Sequence, residues 1–525
     1  MRRTAFGLLG RLRRDIRGAV LIKFTIAFLP LLSIAAAAMD LSRVLLVKQK
    51  LTNAVDAAAL AVGRQFGHEG ADPTAIAQAF INAHYTPANV GDVTNLAVES
   101  SATQVDITVT ARVATAFLAI LNTPFVDITV SSRVLRQQRK IELVMVLDNS
   151  GSMAGIKLAN LKTAAHGLVD ILFGPDTESP NVKIGLVPFT AAVNVGTDQI
   201  RSSWIDQTGL SPIHREDIDL PAGSTLLSLV GNLTNSGWGG CVKARVGPHG
   251  YDLTDTPPDT LVGETLFVPY FAPDEPGSGD GPPPRPTSSS YTNDYLNDLL
   301  IPGGVVARQR NGLKYLGAAV LTPGYGPNYN CVSAPILPLT NVKATINSAI
   351  DAMAAGGNTV IPEGLAWGWR VLSPGAPFTE GTPYDDQTTI KILVLLTDGA
   401  NNVGGGSNSN GHNHSEFSAY GFAASGWLGA TNGLETRLAL DTKTATLCNN
   451  IKGDKALTSS DHYIYVYTIS FQVADAAART LLQSCATPPG DCLGSQCYFD
   501  SPTVAAIQDV FANIALGINQ LRVAN

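Results

Sequence analysis

The sequence predicts an α/β protein whose main domain is a doubly wound, mostly parallel sheet, and three observations predict it. Residues 141–153 (IELVMVLDNSGSM) run a β-prone apolar stretch into Asp148, Ser150 and Ser152. Residues 392–402 (ILVLLTDGANN) form a second such stretch, ending on Asp398 and a turn glycine. Between and after them, helical patterns lie at 342–353, 362–372 and 435–451. Uniformly apolar strands alternating with helices are what a parallel sheet covered on both faces requires. Ligands of such sheets sit beyond the carboxyl ends of the strands, where Asp148 and Asp398 both fall.

Taken in order, the chain opens on a basic tail. Residues 1–17 carry Arg2, Arg3, Arg11, Arg13, Arg14 and Arg17 against one acid, Asp15. Residues 19–39 are then apolar except for Lys23 and a few small hydroxyl residues, and at 1.5 Å rise per residue such a helix crosses a bilayer core of about 30 Å. The basic flank is expected to stay cytoplasmic, so the chain beyond Asp40 is exported. A cleaved secretory signal is the competing reading, with Ala36, Ala37 and Ala38 suited to a peptidase, although the apolar run exceeds a usual signal core.

Past the anchor, Leu41, Val44, Leu45, Leu51, Val55, Ala58 and Val62 keep a helical period. This predicts an extended amphipathic helix over 40–66 that packs on a neighbouring subunit or on the chain's own globular part. A Gly/Asp/Pro break at 67–73 leads to a short helix (74–84), alternating segments (96–99 and 105–113), a small helix (114–121) and a further alternating strand (125–135). Together, 67–136 reads as a compact α+β module. It holds no cysteine, and its expected role is spacer or assembly surface. Residues 133–140 form a polar, basic linker.

The main domain occupies 139–525. Its first helix shows Ile156, Leu158, Leu161, Ala165, Leu168, Val169 and Leu172 on one face, and His166 among them is expected to serve packing or surface. A strand follows at 182–189. From about 194 to 335 the α/β pattern is interrupted by an insertion rich in Pro, Gly, Tyr and Trp, including WGGCVKAR (238–245), LFVPYFAPDEP (266–276) and GPPPRP (281–286). Long irregular loops in compact domains are functional or disordered. Here the aromatic content favours order, and the insertion reads as a partner-specificity region, with a lid lacking any partner as the alternative. After Asp398, a Gly/Asn/Ser/His loop (401–414) contains His412 and His414, whose setting is that of a surface loop rather than a metal site. A strand at 463–471, a cysteine-bearing turn and a terminal helix at 503–521 close the domain.

Composition narrows the function. At 525 residues the chain holds two or three domains. A net charge of −7, with 15% charged residues and no basic stripe beyond the N-terminus, excludes a nucleic-acid binder. The six cysteines form no Cys-x-x-Cys and meet no histidine at zinc-finger spacing. In an exported chain they are expected to pair. Fifteen connectivities exist, and sequence proximity favours Cys492 with Cys497, Cys241 with Cys331, and Cys448 with Cys485; buried reduced thiols are the alternative.

The pattern D-x-S-x-S puts a carboxylate and two hydroxyls on one tight loop, hard oxygen donors of the kind Mg²⁺ takes at about 2.1 Å. They fill only part of an octahedral shell. Gly356, Gly357, Asn358 and Thr359 lie in a loop between two helices, adding a further hydroxyl.

Over 139–199 and 336–525 the sequence resembles a von Willebrand factor type A domain, whose metal-ion-dependent adhesion site is assembled from D-x-S-x-S, a threonine and a T-D-G aspartate. The resemblance implies Mg²⁺, with Mn²⁺ or Ca²⁺ as alternatives, held by Ser150, Ser152 and Thr359 and by Asp148 and Asp398 directly or through water. It also implies a protein partner whose Glu or Asp carboxylate completes the shell. The stretch GAVLIKF…KQKLTNAVDAAALAVGRQ resembles the N-terminal helix of TadE/TadG-like proteins of tight-adherence (Flp) pilus systems, with Gly18 preceding a prepilin-type cleavage point. Lys23 departs from the glutamate of type IV pilins, so a plain signal anchor stands beside that reading. The W-x-G-C and PYFAPDEP stretches are similar to those of TadG-like von Willebrand proteins.

These resemblances imply a protein-binding module that assembles, anchors or presents an adhesive pilus together with other pilus-assembly components. It would sit in the bacterial inner membrane as a single-pass protein, N-terminus cytoplasmic, with its bulk periplasmic or extracellular. A structural envelope protein whose metal site has no partner is the alternative. A metal-dependent hydrolase would need a positioned base. The chain has no H-E-x-x-H, P-loop or G-x-S-x-G, and Glu363, the one nearby acid, is more simply explained by a helix dipole. No enzyme is expected.

Overall fold

The computed structural model describes residues 16–64, 72–86, 91–101, 104–135, 139–276, 291–298, 301–320, 324–386, 388–404, 411–430, 432–453, 464–492 and 496–523. The basic tail through residue 15, most of the 67–73 break, the GPPPRP tract and residues 405–410 of the histidine loop lie outside them. The chain divides into two compact units, 1–138 with 522–525, and 139–521.

In the first unit, helix α1 (Ile16–Arg64) is continuous. Its described side chains between Phe24 and Met39 are largely exposed, whereas Val47, Leu51, Val55, Ala58 and Val62 are buried. The buried face meets Ala77 and Ile81 of α2 (Pro73–His84), which Asp72 caps by accepting from the Thr74 N–H. It also meets Val105, Ile107, Val109, Ala111 and Val113, alternate residues of one strand. The sheet is antiparallel in the order β1 (Asp92–Ser100), β2 (Gln104–Ala114), β3 (Phe125–Leu135). From Val44 onward the apolar face of the helix packs on its own module, except at Leu45; Leu41 and Leu45 of the expected face stay more than half exposed. The small helix expected over 114–121 is corrected: β2 pairs through Ala114 with Phe125, and only a 3₁₀ turn, Leu118–Leu121, remains. The cause is Asp40 of α1, whose carboxylate accepts the N–H groups of Ala116, Phe117 and Leu118 and so starts the turn late.

The second unit contains β4 (Lys140–Asp148), α3 (Ile156–Phe173), β5 (Val182–Phe189), the short β6 (Val193–Asn194) and β7 (Cys241–Val242), and β8 (Leu337–Thr340). These are followed by α4 (Lys343–Ala352), α5 (Ile361–Leu372), β9 (Thr389–Thr397), α6 (Gly433–Lys452), β10 (Ile464–Phe471), α7 (Ala476–Cys485), β11 (Tyr498–Ser501) and α8 (Ala506–Val523). Strands β11, β10, β9, β4 and β5 are mutually parallel, and β8 lies antiparallel on the far side of β5. Numbered in chain order as β4, β5, β8, β9, β10, β11, this is the doubly wound order 3-2-1-4-5-6 with its third strand reversed. Strand order switches between β4 and β9.

Alternation along β4 assigns its faces. Leu143, Met145 and Leu147 pack under α3, α4 and α8, while Val144 and Val146 pack under α5, α6 and the insertion. Helix α5 approaches the sheet closely because it carries glycine where it crosses. A Cβ on Gly364 would lie 2.6 Å from the Phe189 ring, and one on Gly368 would overlap Val146.

The insertion is ordered over its described residues. Trp204, Phe267, Trp367 and Phe378 form an aromatic cluster. Arg245 and Arg370 lie over the Phe267 ring. The acids of the APDEP stretch face inward: Asp274 accepts from the Tyr295 and Leu296 N–H groups and from Lys314, and Glu275 accepts from Thr292 and Asn293 N–H and Asn413 Nδ2. The three disulfides are Cys241–Cys331, Cys448–Cys485 and Cys492–Cys497. The cysteine-bearing turn expected after β10 is in fact α7, β11 and the loop between them; Asp475 caps α7 by accepting from Ala478 N–H.

Candidate metal centre at the strand-order switch

Strand β4 ends at Asp148 and β9 at Thr397, and these neighbours deliver the two acids to one edge. Asp148 is fully buried; its Oδ1 accepts the Ser150 N–H at 2.7 Å and its Oδ2 the Thr397 hydroxyl at 2.6 Å. The Ser150 and Ser152 hydroxyls lie 3.0 Å apart, and Ser152 donates to Asp398 Oδ1 at 2.6 Å. Thus four of the five expected ligand residues, Asp148, Ser150, Ser152 and Asp398, form one hydrogen-bonded chain.

Thr359 reaches the same edge through its backbone. The Gly356 N–H donates to Asn149 O at 2.8 Å and the Gly151 N–H to Gly357 O at 2.9 Å, binding the 356–359 loop to the D-x-S-x-S turn. Thr359 itself exchanges both backbone hydrogen bonds with Asn402, four residues beyond Asp398.

Two contacts had no part in the sequence reading. Thr397, the threonine of T-D-G, fixes Asp148 rather than serving as a mere flank. Lys157 Nζ donates to Asp398 Oδ2 at 2.6 Å. A signal existed for the second: a lysine in the first turn of a helix opposes the dipole, and its placement there calls for a nearby acid.

The donor set suits a hard divalent cation. Burial, joined by the Asp398 charge, pushes Asp148 up to about 6 against the hydrogen bonds from Ser150 and Thr397, a repulsion that a cation between them would relieve. The buried Asn149 Oδ1 on the same turn has no hydrogen-bond partner. All the donors are carboxylate or hydroxyl oxygens. Among the described residues no three His, Cys, Asp or Glu converge, so the protein supplies two acids and Lys157 already offsets one of them.

The other residues singled out in the sequence do different work. Glu363 lies in the first turn of α5 as expected, but is buried, accepts from Trp367 Nε1 at 2.8 Å and is pushed up to about 7 by burial. His166 links α3 to Asn347 and Asp351 of α4. His412 Nδ1 meets the Tyr291 hydroxyl. One buried pair resembles a catalytic dyad: His214 Nδ1 donates to Asp206 at 2.9 Å. The Leu226 N–H donates to its Nε2, which closes the ring nitrogen a substrate would need.

Comparison with known proteins gives one family match, over the N-terminal helix, and distant structural neighbours. Residues 18–65 match the family described as Flp pilus-assembly TadE/G-like. No curated protein matches the chain. Among solved structures, the von Willebrand factor domain of the type V pili tip protein Mfa5 from Porphyromonas gingivalis is 12% identical, covering 73% of this chain and 96% of its own, with a TM-score of 0.32. The D319A mutant of the PilB minor pilin from Streptococcus sanguinis is 13% identical over 82% of this chain and 78% of its own, TM-score 0.32. The pilus adhesin SpaC from Lactobacillus rhamnosus GG is 12% identical over 81% of this chain, TM-score 0.30, and this chain spans a third (33%) of its length.

Proposed function

We propose that the chain is a membrane-anchored, exported protein-binding module of a Tad/Flp-type pilus, acting in assembly, anchoring or presentation, and that it grips its partner through a divalent cation at the β4–β9 edge. The observation that carries this reading is the convergence of Asp148, Ser150, Ser152 and Asp398 at the strand-order switch. A Mg²⁺ there would offer a positive centre to a partner's Glu or Asp carboxylate. Asp148 and Asp398 supply the charge, the two serines orient the acids, and Thr397 keeps Asp148 turned to the edge. The insertion, stapled by Cys241–Cys331, is the surface that selects the partner. The α1 match to pilus-assembly proteins supports an inner-membrane anchor with the globular units outside the cytoplasm. The closed Asp206–His214 pair and the buried Glu363 favour binding over catalysis.

The test is calorimetric titration of Mg²⁺ and Mn²⁺ into the full chain in detergent, beside Asp148→Ala. Saturable binding that the variant loses is expected. Absence of binding by the folded wild type refutes the metal bridge.

A second reading is favoured by one contact: Lys157 already neutralises Asp398, so the edge would hold together without an ion, and the chain would be a structural envelope component.

A further inference from the structure

The first unit carries an apolar surface that neither the metal site nor the pilus reading uses. Outside α1, its exposed large hydrophobic residues among those described are Phe80, Phe117, Ile120 and Phe125. Two of these four, Phe117 and Ile120, sit on or beside the 3₁₀ turn Leu118–Leu121, with Ile120 81% exposed. Asp40, the first polar residue after the apolar span, holds the N–H groups of Ala116, Phe117 and Leu118 at 2.8 to 3.0 Å. The turn is thus pinned level with the end of the span. Its side chains reach back from there: Phe117, Leu118 and Ile120 share an apolar hollow of about 400 Å³ with Leu32, Ala36 and Met39. Eight residues of helix, about 12 Å at 1.5 Å each, separate Leu32 from Asp40, so the hollow extends back along the apolar stretch of α1.

We propose that the Phe117–Ile120 turn is a membrane-seated foot, with Phe117 and Ile120 immersed among lipid acyl chains of the leaflet that α1 leaves. The occupant follows from continuity: the second wall of the hollow is the apolar span itself, and whatever solvates Leu32 and Met39 fills the space beside them. The backbone is prepared for that medium, where an unsatisfied polar group is costly. The Ile120 N–H bonds Phe117 O, the Asn122 N–H bonds Ala119 O, the Thr123 N–H bonds Leu118 O and the Thr115 N–H bonds Pro124 O, while Asp40 takes the next three. Apolar side chains on a short turn beside a charged pin are the arrangement of an interfacial anchor. This proposal rests on α1 being a membrane anchor.

All six cysteines are paired, so Ile120→Cys introduces a single reactive thiol for a spin label. The full chain is placed in nanodiscs of phosphatidylglycerol and phosphatidylethanolamine, and the label's collisions with oxygen and with a water-soluble nickel chelate are compared. Ile34→Cys reports the span, and Leu261→Cys, at a residue 92% exposed in the other unit, reports water. The expected result is an Ile120 label at least fivefold less accessible to chelate than the Leu261 label and rich in oxygen, as at Ile34. An Ile120 label as chelate-accessible as Leu261, with Ile34 still in lipid, overturns the foot and leaves the anchor standing. Chelate access at both Ile34 and Ile120 sinks the anchor as well. Protection from both probes with label–label dipolar broadening means a second copy covers the turn, which also overturns the proposal.

Discussion

Lys157 Nζ and Asp398 Oδ2 lie 2.6 Å apart, the carboxylate side chain wholly buried and the lysine's about a quarter exposed (26%). The ammonium stands on an acid that the proposed metal ion would need, so lysine and metal would compete for the same charge.

Lys157→Met should therefore act with opposite signs in two media. In chelator the variant should unfold more easily, by about 1–3 kcal/mol, because a buried carboxylate loses its counter-ion while the lysine's partial exposure limits the loss. In Mg²⁺ it should bind the ion on the order of tenfold more tightly, equal to about 1.4 kcal/mol. Unfolding curves with and without Mg²⁺, paired with calorimetry, check this; unchanged affinity would show that lysine and metal do not share Asp398.

Thr397→Val keeps the shape of the side chain but removes the hydroxyl that holds Asp148 Oδ2. A buried oxygen short of one donor costs about 1–3 kcal/mol, and Mg²⁺ affinity should fall several-fold without vanishing, in contrast to Asp148→Ala. Equal affinity in Thr397→Val and wild type would remove Thr397 from the site.

Gly368→Ala forces a methyl group into Val146 beneath α5. Overpacking of this kind costs about 1–3 kcal/mol, and the denaturant midpoint should drop with the slope unchanged. A neutral result would mean that α5 lifts from the sheet without penalty.

Glu275 gives a dependence on pH. Burial outweighs the hydrogen bonds from Asn293, Asn413 and Thr292 and raises its pKa from 4.5 to about 7. A folded-state pKa above the unfolded one means that the folded chain holds the proton more tightly, so this group's contribution is greatest below pH 4.5 and is lost as pH rises toward 7. The loss is on the order of 3 kcal/mol. Plotting wild-type stability minus that of Glu275→Gln from pH 5 to 8 should give a falling line; a flat line would mean the carboxyl titrates normally.

The parts of this architecture that local chemistry decides were legible in the sequence. The run Leu143 to Leu147 could be read as a strand buried on both faces because no polar residue interrupts it, and Asp148 could be placed at its end. Strand β8 could not: Leu337–Thr340 is four residues long, contains Pro338 and follows an irregular insertion. Helix α7 carried its Asp475 cap and an Ala-rich start in plain sight, but the nearby cysteines suggested a turn. At the candidate site, the oxygen-bearing residues at the two strand ends were readable in the sequence, whereas the Thr397–Asp148 and Lys157–Asp398 bonds join residues 249 and 241 positions apart. No local pattern encodes such pairs; only the strand order, which sets β9 beside β4, brings them together.

Helix α1 passes unbroken from Ile16 to Arg64, with the α+β module built on its last turns and Asp40 fastening a loop at its waist. It is a lever rather than a tether. Any tilt or rotation imposed on the helix beyond Pro30 would be transmitted as torque to the module, because the helix runs on from there to Arg64 without another proline.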